Sequence, residues 1–351
     1  MREFEKNIRK VEPYVPGEQP GKKVIKLNTN ENPYPPAPGV SAALKAMDTH
    51  SLRLYPDPGA EALIKELARV YEVEPSQVFV GVGSDDVLSM CFLTFFNSEK
   101  PVLFPDITYS FYKVWADLYR IPYECPKLDE NFRLVKEDYY RENGGVIFPN
   151  PNAPTALYEE LPVVEDIIAH NRDVIVIVDE AYVDFAGRSA IELIDKYDNL
   201  IVVQTFSKAR SMAGMRIGYA VSNPVLIKYL NDAKFSFNSY TMNQTSLICG
   251  VEAVKDKAYF EENIRKIIDT REWAKGELKK LGFEFTDSKA NFIFAAHPEY
   301  DARMLFEAMK AEGIYVRFFG SRRIEQYLRI TVGTKEEMET MFAFLRKYMK
   351  K

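Results

Sequence analysis

Residues 173–182 read DVIVIVDEAY, and residues 200–222 read LIVVQTFSKARSMAGMRIGYAVS. Each opens on a run of β-branched residues with no polar alternation, the pattern of a strand buried on both faces by helices above and below a largely parallel sheet. The residues that close the runs suit chemistry better than packing. Asp179 ends the first, and Thr205, Ser207 and Lys208 lie at and just past the end of the second. Ligands of open α/β sheets bind outside the carboxyl ends of the strands, where these residues fall. A lysine just past a strand also serves as an ordinary surface residue, so the neighbours decide. Hydroxyls flank Lys208, Ala213 and Gly214 permit close backbone approach, and Arg216 adds a fixed cation. The set describes a phosphate pocket around an amine.

Working outward, QVFVGVG (77–83), KPVLFP (100–105), GVIFPN (145–150) and IGYAVS (217–222) read as further buried strands of the parallel kind. Amphipathic helices are predicted at AEALIKELARVYEV (60–73) and SDDVLSMCFLTFF (84–96). The alternation predicts an α/β fold with a doubly wound, mostly parallel sheet. A long polar helix is predicted over FEENIRKIIDTREWAKGELKKLG (260–282), followed by FEFTDSKANFIFAA, a helix at ARMLFEAMKAEG (302–313), YVRFF, QYLRITVG and a last helix, which together make a smaller α+β unit. The proline-rich stretch 11–39 cannot form a regular helix and reads as an extended arm. The expected division is 1–45 as arm and part of a small domain, 46–255 as a large domain and 256–351 as the small C-terminal domain.

Composition narrows the chemistry. At 351 residues and 46% hydrophobic, the chain is long enough for about two domains. Its 51 acidic and 46 basic residues leave a net charge of -5 without a basic run, which gives nucleic-acid binding no support. Cys91, Cys125 and Cys249 show no metal-ligand spacing and are expected to be buried free thiols in a reducing compartment. His50, His170 and His297 stand apart from triad or ligand partners, so neither a zinc site nor a Ser-His-Asp site is expected. The charged start MREFEKNIRK and the lack of a run of roughly twenty apolar residues predict a cytoplasmic protein without a membrane span.

An amine beside a phosphate pocket, with a carboxylate on the adjacent strand, is what pyridoxal phosphate requires: amine for the aldehyde, carboxylate for the ring nitrogen, Arg and hydroxyls for the phosphate. At these residues the chain resembles the fold type I pyridoxal-phosphate-dependent aminotransferases, and the likeness extends over nearly its whole length. VEPYVPGEQP, LNTNENPYPP, LYPDPGAEAL, GVGSDD, FPDITYSFY, PNPNAPTA, VDEAYVDF, TFSKARSMAGMRIGYA and YLRITVG, in that order, resemble the histidinol-phosphate aminotransferase family in particular.

The resemblance implies roles. Lys208 would hold the cofactor aldehyde and then serve as the base at the substrate carbon. Asp179 would pair with the ring nitrogen, Tyr182 would bond the ring hydroxyl oxygen and Tyr109 would stack on the ring; read alone, these are a strand-end cap and core tyrosines. Ser84 and Asp85 would offer backbone amides to the phosphate at a helix start, alongside Thr205, Ser207 and Arg216. Tyr55 would reach the phosphate of a partner subunit's cofactor, which implies a homodimer. The family pattern PNNPTG reads PNAPTA here, so one asparagine and the glycine are replaced. Either Asn152 takes the donor role after a backbone shift, or Tyr182 carries it largely alone. Arg329 and Arg317 would hold the anionic ends of histidinol phosphate and of glutamate or 2-oxoglutarate, as arginine's planar fork suits. Tyr14 and Asn30 would close over the substrate. An aromatic or broad-specificity aminotransferase and a threonine-phosphate decarboxylase share these cofactor residues and stay open. So does a non-catalytic pyridoxal-phosphate sensor, although no helix-turn-helix segment is seen.

Overall fold

The computed structural model describes every residue except Met1, Lys22 and Lys351. Its strands, in chain order, are β1 Ile25–Lys26, β2 Val78–Gly81, β3 Val102–Leu103, β4 Tyr123–Glu124, β5 Gly145–Pro149, β6 Val176–Asp179, β7 Leu200–Thr205, β8 Gly218–Ser222, β9 Glu284–Phe285, β10 Phe292–Ala296, β11 Ile314–Tyr315, β12 Arg317–Phe318 and β13 Tyr327–Thr331. Seven of them form one sheet in the order β2-β8-β7-β6-β5-β3-β4.

The sequence periodicity explains why this sheet is covered on both sides. Val176, Val178, Leu200 and Val202 face one apolar cluster with Leu63, Val164 and Cys249, whereas Ile177, Ile201 and Val203 face another with Leu88, Phe92 and Leu230. Successive side chains of a strand point to opposite faces, so an unbroken apolar run needs two cores. The helices that supply them include Glu61–Tyr71, Ser84–Phe95, Leu161–Ala169, Pro224–Phe237 and Gln244–Lys255.

The expected parallel strand at IGYAVS runs the other way. β8 pairs antiparallel with both β7 and β2, while β3 to β7 are parallel. Between β7 and β8 the chain makes only a 3-10 turn, Ala213–Met215, and a parallel return needs a crossover element. The reversal keeps Lys208 and Arg216 on one loop above the carboxyl end of β7. Cys125 also departs from expectation: it is exposed at the sheet edge after the short β4, whereas Cys91 and Cys249 are buried free thiols.

The long helix is Lys257–Lys280, started by Asp256, whose side chain accepts from the Tyr259 N–H. Beyond it β12-β13-β10-β9 form an antiparallel sheet with its own core, including Phe292, Ile293, Leu328, Ile330 and Phe342. The N-terminal arm joins this half through β1, which pairs parallel with β11. Among the described residues no helix is long and apolar enough to cross a membrane, and no His/Cys/Asp/Glu cluster suits a metal.

Candidate active site

A cavity of about 300 Å³ opens where the carboxyl ends of β6 and β7 meet the arm and the β12-β13 hairpin. Tyr14, Asn30, Ser84, Asp85, Tyr109, Asp179, Tyr182, Thr205, Ser207, Lys208, Arg216, Arg317 and Arg329 all line it. A larger cleft of about 510 Å³ among Lys100, Asn143, Arg172 and Asn199 contains none of the residues singled out by the sequence.

Lys208 Nζ donates to the Thr29 carbonyl at 3.1 Å, so the arm holds the amine. Burial, together with the nearby Arg329 cation, lowers its pKa to about 8, which leaves far more free amine near neutrality than an ordinary lysine has. Asp179 is pushed the other way, to about 6, by burial; hydrogen bonds from the Tyr112 hydroxyl at 2.7 Å and the Ala181 N–H at 3.2 Å oppose the shift. A carboxylate kept from water and held by two donors is suited to a cationic ring N–H.

Near Arg216 the backbone is pressed together. A Cβ on Gly83 would lie 2.5 Å from Arg216 Nη2, and one on Gly218 would collide with the Gly83 backbone. Gly83, at φ 83, caps the Ser84–Phe95 helix, whose first-turn amides have no intrahelical acceptor. The helix start at Ser84 and Asp85, Arg216, and the hydrogen-bonded hydroxyls of Thr205 and Ser207 all line the cavity, and donors of these kinds suit a phosphate. Asp85 accepts from Tyr109 at 2.8 Å and pairs with Arg216 at 3.3 Å, steadying both side chains. The residues present therefore fit pyridoxal phosphate: amine, buried carboxylate, anion cradle and aromatic wall border one space.

At the other end, Arg317 and Arg329 face each other directly across the β12-β13 ladder. Like charges in that position repel unless an anion lies between them. Arg329 donates through Nη2 to the Asn28 carbonyl at 2.9 Å, while its Nε has no partner among the described residues.

Two expected residues are elsewhere. The Asn152 carboxamide donates to the Ile107 carbonyl at 3.0 Å and Thr155 Oγ1 at 2.9 Å and accepts from Thr108 Oγ1 at 3.2 Å. Engaged with Thr155 of its own loop and with Ile107 and Thr108 of another, it is absent from the cavity lining, where Ala153 and Pro154 appear instead. The donor role expected of it therefore has no basis in this geometry. Tyr55 is 80% exposed and stacks on Tyr240 at 4.5 Å, beside a separate apolar groove with Leu54, Leu247 and Ile248. Sequence reasoning missed Tyr112 and the Thr29 carbonyl. A second tyrosine three positions after Tyr109 was the only signal for the former, because a buried tyrosine hydroxyl needs a partner; a backbone acceptor leaves none.

The family model for aminotransferase class I and II matches residues 22–345. The chain belongs to that family. It is 49% identical over 353 residues, covering 100% of both chains, to a protein of Clostridium botulinum (strain Langeland / NCTC 10281 / Type F) named histidinol-phosphate aminotransferase. A protein of Lactococcus lactis subsp. lactis (strain IL1403) with the same name is 49% identical, covering 99% of this chain and 97% of that one. Among solved structures, the fold matches histidinol-phosphate aminotransferase from Sinorhizobium meliloti in complex with pyridoxal-5'-phosphate, with a TM-score of 0.85 at 24% identity, covering 94% of this aminotransferase and 92% of that chain.

Proposed function

We propose that this aminotransferase uses pyridoxal phosphate to move the amino group of L-histidinol phosphate to 2-oxoglutarate, giving imidazole acetol phosphate and L-glutamate in histidine biosynthesis. The observation that carries the reading is one cavity in which a softened amine, a buried carboxylate and a facing pair of arginines meet. Full-length identity of 49% to proteins named for this reaction supports the substrate.

When bound, pyridoxal phosphate supplies an aldehyde for amine exchange and a ring that draws electrons from the substrate carbon. Lys208 would be the amine that holds the aldehyde, and with the substrate amine in its place its Nζ would carry the proton to and from the carbon that bore the amino group. Asp179 keeps the proton on the ring nitrogen. Tyr182 would donate to the ring oxygen, and Tyr109 would pack on the ring. Ser84, Asp85, Thr205, Ser207 and Arg216 hold the phosphate. Arg317 and Arg329 hold the phosphate ester of one substrate and the distal carboxylate of the other, with Tyr14 over the opening. Because each substrate carries an anion at one end, a single arginine site serves both halves of the cycle.

The enzyme works as a cytoplasmic homodimer divided at about residues 45 and 255, with the partner's Tyr55 completing each phosphate site. Exposed Leu52, Leu54, Tyr55, Phe237 and Tyr240 support the dimer, since such apolar residues normally find cover. The visible absorption spectrum tests the reaction. L-Histidinol phosphate added without keto acid should bleach the cofactor band, and 2-oxoglutarate should restore it. A band indifferent to histidinol phosphate would assign the site another substrate.

A further inference from the structure

The hydroxyl of Tyr182 meets the carboxamide of Asn30. Asn30 Nδ2 donates to the Tyr182 oxygen at 2.9 Å, and Asn30 Oδ1 accepts from the Thr331 hydroxyl at 3.1 Å. The Asn30 backbone N–H donates to that same threonine oxygen at 3.0 Å, while its carbonyl accepts from Asn291 Nδ2 at 3.0 Å. Asn30, Thr331 and Asn291 are all buried. Turning the Asn30 carboxamide over would set its NH₂ against a threonine oxygen that already accepts, and would leave the buried Thr331 proton without an acceptor. The carboxamide therefore presents NH₂ to Tyr182. Tyr182 accepts there, and among the described residues no protein atom receives its own proton.

That proton is needed because of a change elsewhere in the cavity wall. Where PNNPTG would place an asparagine before the second proline, this chain has Ala153, whose methyl has nothing to donate. The adjacent Asn152 is consumed by Ile107, Thr108 and Thr155.

We propose that Asn30 is a positioning residue: held by Thr331, it forces Tyr182 to be a hydrogen-bond donor into the cavity and so offsets the donor lost at Ala153. The inference rests on the reading of Tyr182 as the residue that bonds the cofactor's ring oxygen. A donor on that oxygen withdraws charge from it and weakens its hold on the proton it shares with the Lys208 nitrogen. The pH midpoint of the cofactor's visible band is thereby lowered. Thr331 also ends β13, the strand that carries Arg329, so one buried network joins the donor to the anion-binding strand.

The test is a pH titration of that band in the holoprotein across a double-mutant cycle. Tyr182→Phe should raise the midpoint by about one pH unit, the worth of one neutral hydrogen bond. Asn30→Asp keeps the shape, tolerates the φ of 57 and still accepts from Thr331, but offers Tyr182 an oxygen and draws its proton away. It should raise the midpoint by a similar amount in the Tyr182 protein and leave it unchanged in the Tyr182→Phe protein. Equal rises in both backgrounds would mean that the new charge acts through space, and no rise with Tyr182 present would mean that Asn30 does not set its polarity; either result overturns the proposal. A Tyr182→Phe midpoint equal to the parent's would instead remove the role read for Tyr182. Should Asn30→Asp not fold by circular dichroism, Thr331→Val, which frees the carboxamide to turn, replaces it in the same cycle with a smaller rise expected in the Tyr182 protein alone.

Discussion

The Tyr112 hydroxyl donates to Asp179 Oδ2 across 2.7 Å, and its ring meets Tyr109 edge-on at 5.8 Å and 89°. One fully buried side chain thus braces both the carboxylate read as the partner of the ring nitrogen and the aromatic read as its stacking wall. Burial and the neighbouring Asp179 charge hold the Tyr112 hydroxyl well above the usual tyrosine range, so it keeps its proton and gives it to the carboxylate. Removing it leaves Asp179 with the Ala181 N–H and pushes the carboxylate further toward its neutral form. Tyr112→Phe, which keeps the ring, should weaken binding of pyridoxal phosphate to the apoprotein by roughly tenfold or more, as for a hydrogen bond to a charged group. Fluorescence titration measures this, and an unchanged Kd would show that the bond does not support the carboxylate's task.

Asp179 is held at about 6, above the ordinary aspartate range, chiefly by burial. With its folded pKa raised, the group favours folding when protonated; between about pH 4 and pH 6 the folded state binds more protons than the unfolded one, and stability falls as pH rises through that window. Above it the apoprotein carries a buried, destabilising charge. Asp179→Asn should therefore stabilise the apoprotein at pH 7.5 by up to about 3 kcal/mol, from a shift of roughly two units, and the gain should fade as pH falls toward about 4. Urea unfolding at the two pH values measures it. A destabilised variant at pH 7.5 would show that the carboxylate's hydrogen bonds outweigh its desolvation.

The strands that carry Asp179 and Lys208 were legible in the sequence because burial on both faces leaves no polar residue to blur them. β3 and β4 are two residues each, too short for any periodicity, and the direction of β8 depends on a loop rather than on its own composition. Most cavity residues were likewise readable, since strand ends and a glycine-bounded helix start carry local signals. The failures are contacts between distant segments. Nothing within NTNEN announces that Thr29 will hold the Lys208 amine or that Asn30 will meet Tyr182, residues brought together only when the arm crosses between the two sheets. Local pattern misled at PNAPTA: Ala156 adopts the left-handed φ of 62 that a glycine would take freely, while the Asn152 carboxamide is taken up by Thr155 and by the distant Ile107 and Thr108.

Arg329 and Arg317 stand opposite each other on β13 and β12, and the Arg329 guanidinium lies 5.3 Å from the Phe292 ring and 5.6 Å from that of Phe319. A planar fork held between aromatic rings is pre-oriented for an anion; an ammonium at the same place keeps the charge and loses the paired geometry. Arg329→Lys should raise KM for both histidinol phosphate and 2-oxoglutarate by about ten- to a hundredfold, the loss of one charged hydrogen bond from a pair. Steady-state kinetics with each substrate varied in turn measures this. A rise confined to one substrate would separate the two anion sites that are read here as one.

Tyr55 is 80% exposed, and its stacking partner Tyr240 is 45% exposed, on an apolar surface away from the chain's own cavity. Such a position makes sense if the ring enters a second copy's site, and a twofold dimer would place both Tyr55 side chains in that way. The arrangement can be read from inactive parts. Lys208→Ala removes the amine from its own site, and Tyr55→Ala removes the shared hydroxyl from the partner's site. In a mixed dimer of the two variants, both lesions fall in one site and the other site is intact. Equal amounts, unfolded and refolded together, form mixed dimers in about half of the assemblies, so about one quarter of the parent activity should return from two preparations that each have little. Activity no higher than the average of the separate variants would mean that Tyr55 serves no site but its own, and the shared phosphate contact would have to be withdrawn.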